Sequence, residues 1–374
     1  MEEGQQPQPI PSSQVLLAGR SLQRELAPLA LFAVVVAAGL PLLFGAGLWL
    51  TVFTQAVIYS IASLGVGMLY GRLGMVSLAN FALYGVGGWV ALRLSHLGSV
   101  PFIVCVLAGA VTAAIVAVLV GLPALRVRGL YLALITLMAA GAFYVIVNAI
   151  GFPDGGGGFL GRQGTYNRTK MGRPSFAKTD ERYFRFAVLV AALAFVIAIL
   201  HLRGKPGRAW KMIRRSQAAA LASGIDVTRY KTWAFALAGF LSGLAGGMAA
   251  GFGGQLNTLD FRASASMLLF GLAVSAGAYH LIGAVFAALL SQVLPRLFTE
   301  WGISADLATM IFGLLLMFSL TTAPEGAAGA LHLIWGVLTK PFQRSGAAVD
   351  AADPTATEPT ATDPTATEPE GLPA

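Results

Sequence analysis

Nine apolar runs, each long enough to cross a bilayer, constrain what this chain of 374 residues can become. A helix needs roughly 17–25 mostly apolar residues to span about 30 Å of hydrocarbon. Such runs fall at 29–45, 48–70, 75–94, 100–121, 129–150, 184–202, 231–252, 280–298 and 303–322. A tenth, 264–278 (SASMLLFGLAVSAGA), is shorter. It reads as a tilted span or as a re-entrant segment covered by its neighbours. Charged residues are only 11% of the chain and hydrophobic ones 56%, where soluble domains carry roughly 25% charged residues. The runs are broken by Gly and do not alternate with period two, so they predict helices and not barrel strands. The expected fold is an all-α polytopic membrane protein with about 10 transmembrane or re-entrant helices (range about 8–10).

Polar ends frame this core. Residues 1–28 open with MEEGQQPQPIPSSQ, which lacks the basic start, apolar core and cleavage site of a signal peptide. They are expected to form a cytoplasmic tail. Residues 341–374 carry PTAT every five positions between acidic residues, a composition that cannot bury enough apolar surface to fold. The membrane-embedded core is thus expected over 29–340. Its sole cysteine, Cys105, lies in an apolar run and excludes an intrachain disulfide.

Short loops rich in Lys and Arg stay cytoplasmic. With ten spans, Arg20 and Arg24, Arg72, Arg126 and Arg128, and the block 203–230 share that face, as do both termini. The loop 151–183 then lies outside despite Arg162, Arg168, Lys170, Arg173 and Lys178, because the rule weakens for longer loops. If 264–278 only re-enters, the C-terminal tail crosses to the other side.

Several chemistries find no support. Asp154, Asp260, Glu300, Asp306 and Glu325 fall in loops or near span ends, whereas a proton- or sodium-coupled carrier generally needs a carboxylate near mid-membrane. His96, His201, His280 and His332 are scattered without metal-ligand spacing, so no metal site is expected. Gly156, Gly158 and Gly161 fit GxGxxG, but no βαβ unit surrounds them. No GxxxxGK[ST] occurs, so the chain is not expected to hydrolyse a nucleotide by the P-loop route or to act as an enzyme.

Two patterns stand out. Gly239, Gly243, Gly247 and Gly251 form a small-residue ridge at four-residue spacing, which suits close helix packing within the chain or against a second subunit. Then Gly207 to Phe235 (GRAWKMIRRSQAAALASGIDVTRYKTWAF) gathers Arg208, Lys211, Arg214, Arg215, Arg229 and Lys231. From Gly207 to Gly224 the periodicity predicts one amphipathic helix, with Arg208, Lys211 and Arg215 on one face and Ala209, Met212, Ile213 and Ala220 on the other. Gly224 would end it. On residues alone this is an anchor for anionic lipid headgroups, a docking element for a soluble partner, or, least well supported, a nucleic-acid contact lacking stacking aromatics.

This block, continued to Gly247, resembles the cytoplasmic loop and following helix of permeases of the branched-chain (hydrophobic) amino-acid ABC importer family, whose pattern runs GRAxxAIRxxExAAxxxGIxVxxYKxxAF. GRLGMVSLANFALYGVGGW is similar to that family's GxxSLGHxxFxGxGAY, keeping Gly71, Gly74, Ser77, Leu78, Gly85 and Gly87. LPALRVRGLYLALITL resembles its LLALRLRGxYxAxxTL through Arg126, Arg128, Gly129, Tyr131 and Thr136. MIFGLLLMFSLTTAPEGAAG resembles its closing helix through Gly313, Pro324 and Gly326. The resemblance covers roughly 45–330.

It implies a bacterial inner-membrane permease paired with a second, homologous permease and two cytoplasmic ATP-binding subunits that hold ATP and Mg²⁺. This chain itself would bind no cofactor. An extracytoplasmic binding protein would deliver leucine, isoleucine, valine or a related compound; urea and short-amide permeases share the pattern. Segment 203–230 would couple to the ATPases through Arg208, Lys211, Arg214, Arg215, Gln217, Ala219, Ala220 and Gly224. Ser77 and Asn80 are candidate polar groups on the substrate path, or plain interhelical hydrogen-bonding groups. The sequence departs from the family at Gln217 and Leu221, usually Glu, and at Asn80, usually His. Readings of other classes are a stand-alone secondary transporter and a membrane scaffold.

Overall fold

Long runs of Leu, Val, Ile and Ala separated by Gly and Pro have one low-energy form where water is absent, the helix, which satisfies its own backbone hydrogen bonds. The computed structural model describes residues 47–98, 100–125, 127, 129–162 and 169–304, with a few isolated positions on either side. These all belong to the unit 1–330. They form helices α1 (Leu48–Leu73), α2 (Asn80–Ser95), α3 (Phe102–Ala124), α4 (Leu130–Ile150), α5 (Asp180–Arg203), α6 (Lys205–Arg215), α7 (Gln217–Ala222), α8 (Val227–Gly253), α9 (Ala263–Ser275) and α10 (Leu281–Glu300). Among the described residues there is no strand. Six helices, α1, α3, α4, α5, α8 and α10, are long and apolar enough to cross a membrane, and the protein is multi-pass. The expected spans 29–45 and 303–322, with Arg126, Arg128, Asp306 and Glu325, lie largely or wholly outside the described residues.

One expected span takes a different form, and the tenth run is short. The run 75–94 becomes helical only at Asn80, because Gly74 adopts φ 69° and ends α1. Its N–H and that of Met75 donate to the carbonyls of Tyr70 (2.9 Å) and Leu69 (3.2 Å), the usual left-handed glycine cap. The chain 75–79 is then non-helical yet largely buried. The run 264–278 is a helix of 13 residues, about 20 Å at 1.5 Å per residue, short of the bilayer core.

α8 is the hub, with α1, α2 and α3 laid against it. Its glycine ridge meets α3. A Cβ at Gly239 would lie 2.8 Å from the Ala113 carbonyl, at Gly243 3.0 Å from that of Gly109, and at Gly247 3.1 Å from Val106. Gly251 faces Phe102 of α3 and the Tyr183 hydroxyl of α5. The ridge therefore serves packing inside this chain. In lipid, where apolar contact alone does not drive association, such close backbone approach is what holds helices together. On its other side α3 turns Leu107, Val111, Ile115 and Leu119 outward.

The described parts of loop 151–178 close the end of the bundle away from α6. The Trp89 Nε1–H donates to Gly151 O (3.1 Å), and the Arg93 guanidinium to Phe159 O (2.9 Å) and Gly158 O (2.5 Å). Met171 N–H reaches Gly254 O at 2.8 Å. Arg173 pairs with Asp180 at 2.6 Å and lies over Tyr183 and Phe252.

Candidate functional site

The basic segment folds as two helices, which corrects the single helix expected over 207–224. Ser216 is extended (φ −157°, ψ 121°), and its hydroxyl accepts from Ala219 N–H at 3.2 Å. A serine that caps the next helix competes with continuation of the previous one. At the start of α6, Gly207 passes so close to the Leu202 carbonyl that any Cβ would overlap it. At the end of α7, Gly224 takes φ 75°. Asp226 then caps α8 by accepting from Arg229 N–H at 3.1 Å.

α6 turns Gly207, Ala209, Trp210 and Ile213 inward. Arg208, Lys211 and Arg215 face solvent, Ala219 is exposed on α7, and Ala220 is fully buried. Two side chains fasten this lever to the bundle. Trp210, 0% exposed, donates its Nε1–H to the Tyr230 carbonyl of α8 at 2.9 Å. Arg214 donates to the Gly71 carbonyl in the last turn of α1 and lies over the Tyr279 ring, 4.8 Å from its centroid. Arg214 and Arg215 are therefore not equivalent: both are exposed, but Arg214 is tied to Gly71 and Tyr279. Trp210 and Tyr279 are absent from the residues singled out in the sequence; for Trp210 the signal is a large aromatic on the apolar face of a basic helix, three residues from both Gly207 and Ile213.

A cavity of about 120 Å³ opens beside this segment, lined by Gly74, Val76, Val127, Gly129, Gln217 and Lys231 among others. It gathers the end of α1, the α3–α4 connection and the start of α8 at the same end of the bundle as α6.

A second polar place lies deeper. Phe81 stacks on Tyr84 (5.2 Å) and Phe261 (5.3 Å) and approaches Tyr59 at 6.0 Å. Tyr59 is near the middle of α1, so α2 begins at mid-depth, where the non-helical chain 75–79 has climbed alongside α1. Leu78 N–H donates to Thr136 Oγ1 of α4 at 2.9 Å. Ser77 and Asn80 are each 2% exposed, and among the described residues the Ser77 hydroxyl and both amide atoms of Asn80 have no hydrogen-bond partner. No side chain caps α2. α9 starts just past Phe261, so two short helices begin beside one aromatic cluster. Helix starts at mid-membrane present positive dipole ends to a passage.

The expected residues thus occupy three separate places: the α6–α7 lever, the α1–α2 joint with Ser77 and Asn80, and the α8–α3 glycine seam. Among the described residues no group of three or more His, Cys, Asp and Glu side chains could hold a metal ion.

The family model for the permease component of branched-chain amino acid transport systems matches residues 48–320. The chain is 26% identical over 293 residues to the high-affinity branched-chain amino acid transport system permease protein LivM of Salmonella typhimurium, covering 73% of this chain and 68% of that one. It is 25% identical over 292 residues to the corresponding LivM of Escherichia coli, with the same coverage. A ribose import permease protein, RbsC of Bacillus subtilis, is 32% identical over 139 residues, 35% of this chain and 42% of that one. No solved structure matches the chain.

Proposed function

Since the chain belongs to the family of branched-chain amino acid transport system permease components, we propose that it is the membrane-spanning subunit of an ATP-driven ABC importer for branched-chain or related hydrophobic amino acids. The observation that carries this reading is α6, a basic helix whose buried face is fastened to α8 through Trp210 while Arg208, Lys211 and Arg215 stay exposed. In this reading two cytoplasmic ATPase subunits hold ATP and Mg²⁺ and grip the exposed face of α6 and α7. A second, homologous permease completes the pore. A binding protein delivers substrate to the end closed by loop 151–178. The chain sits in the bacterial inner membrane with both termini cytoplasmic and α6 on the cytoplasmic side, with no cofactor of its own.

ATP binding draws the ATPases together, and the docked levers rock the bundles between inward- and outward-facing states. For this to move substrate, the path must bind it with different affinity in the two states. Ser77 and Asn80 are the proposed polar contacts on that path. A buried amide left unpaired costs about 1–3 kcal/mol, and a substrate group that pairs with it in one state returns that cost. The start of α2 suits a carboxylate, and the ring cluster of Tyr59, Phe81 and Phe261 suits an apolar side chain. A second reading, a urea or short-amide permease, is favoured by the same Asn80, whose free donor and acceptor complement an amide.

The test is reconstitution with the partner subunits, followed by ATP-dependent uptake of leucine, isoleucine, valine and urea. Saturable, ATP-dependent uptake of branched-chain amino acids is expected. Uptake driven by a proton or sodium gradient without ATP would overturn the reading in favour of a secondary transporter.

A further inference from the structure

Arg214 differs from the other cations of its segment in what it touches. Its guanidinium donates to the Gly71 carbonyl and covers the Tyr279 ring, groups that belong to two different elements. The first is the C-terminal turn of α1. There Gly74 and Met75 N–H already serve Tyr70 and Leu69, and Arg214 takes the next open carbonyl at the negative end of the helix. The second is the turn 276–280 between α9 and α10. These two elements are in backbone contact, since a Cβ on Gly71 would overlap the Ala278 carbonyl. Tyr70 extends the joint, 6.1 Å from the Tyr279 ring and 5.3 Å from Phe270 of α9. Arg214 therefore closes a joint between α6, α1 and the α9–α10 turn. From that joint α9 runs back to the aromatic cluster that holds Phe81 next to Asn80.

We infer that Arg214 is a positioning residue that transmits displacement of α6 to the α1 and α9–α10 joint, and is not a contact to the ATPase. This rests on the importer reading above. Trp210 fixes α6 to α8, the hub; Arg214 fixes it to the elements flanking the hub. With Arg214 in place the lever moves α8 and α9–α10 together; without it α6 keeps Trp210 and its packing against α5, α1 and α8 but loses its contact to the α9–α10 turn. The chemistry favours Arg over Lys, because a planar fork donates to a carbonyl and lies on a ring at the same time and an ammonium on a flexible stem does not.

The test compares complexes carrying wild-type chain, Arg214→Gln, Arg214→Lys, Tyr279→Leu, Tyr279→Phe and the Arg214→Gln/Tyr279→Leu double variant. The measurements are ATPase co-purification and uptake per ATP hydrolysed. Expected are unchanged co-purification and a fall of about tenfold in uptake per ATP for Arg214→Gln and for Tyr279→Leu, within the range of ordinary coupling energies. The double variant is expected to be no worse than either single one, as for partners in one contact. Tyr279→Phe, which keeps the ring, is expected near wild type, with Arg214→Lys between. Loss of ATPase co-purification in Arg214→Gln would assign the residue to the docking surface and overturn the inference. So would wild-type stoichiometry in that variant, or additive losses in the double variant. Hydrogen exchange over 205–215 in the chain alone is expected to quicken in Arg214→Gln. A wild-type complex without ATP-driven uptake would overturn the importer reading; unchanged exchange would overturn the joint itself.

Discussion

Removing the Trp210 side chain should separate the two jobs of α6. The indole is 0% exposed and its Nε1–H donates to Tyr230 O at 2.9 Å. Truncating a buried Trp to Ala costs about 3–5 kcal/mol. Replacing it with Phe keeps most apolar contact and loses the hydrogen bond, about 0.5–1.5 kcal/mol. At about 1.4 kcal/mol per tenfold, Trp210→Ala favours detached α6 by a factor on the order of 10²–10⁴, and Trp210→Phe by roughly 2–12. Arg208, Lys211 and Arg215 are untouched, so ATPase docking should persist while motion fails to reach α8. The assay is uptake per ATP hydrolysed in proteoliposomes, with hydrogen exchange over 205–215 as an independent check on detachment. Trp210→Ala should lose at least about tenfold in uptake per ATP, beyond the loss in Trp210→Phe. Wild-type stoichiometry in Trp210→Ala, with α6 shown to exchange faster, would refute the reasoning that α6 acts through this anchor.

Three further outcomes are expected. Charge reversal at Arg208, Lys211 and Arg215 together should abolish ATPase co-purification while leaving insertion and thermal stability within about 0.5 kcal/mol per site, as checked by pull-down and a melting curve. Gly246→Ala places a Cβ into the Tyr84 carbonyl and should destabilise the bundle by about 1–3 kcal/mol, read as a lower melting temperature in detergent. Asn80→Leu removes a buried amide that has no hydrogen-bond partner among the described residues; stability should hold or rise by about 1–3 kcal/mol, while substrate uptake falls sharply. A drop in both together would mark Asn80 as structural.

The helical class and most spans were legible because length and hydropathy are additive along a chain, and bilayer thickness converts them directly into elements. The glycine spacing of α8 was legible for the same reason, although its partner α3 was not, since nothing in Gly239 or Gly243 names the facing helix. The α1–α2 joint reads as helix in the sequence because Met75, Val76, Leu78 and Ala79 are apolar; only the left-handed turn at Gly74 reveals that the chain buried there is not helical. Ser216 sits among good helix formers, and its capping of Ala219 is a choice between two local hydrogen bonds that composition does not decide. Arg214 and Arg215 are adjacent and chemically identical. Helical periodicity separates them by about 100°, and only the position of Gly71 and Tyr279 shows which one is tied to the bundle.

The central claim is that ATP hydrolysis in partner subunits moves substrate through this chain by way of α6. The most direct measurement is uptake of radiolabelled leucine into proteoliposomes holding the complete complex, with ionophores collapsing proton and sodium gradients and ATP supplied on the α6 side. The account predicts uptake that requires ATP, persists without gradients, and disappears when Arg208, Lys211 and Arg215 are reversed in charge. Uptake that vanishes with the gradients and ignores ATP would contradict it.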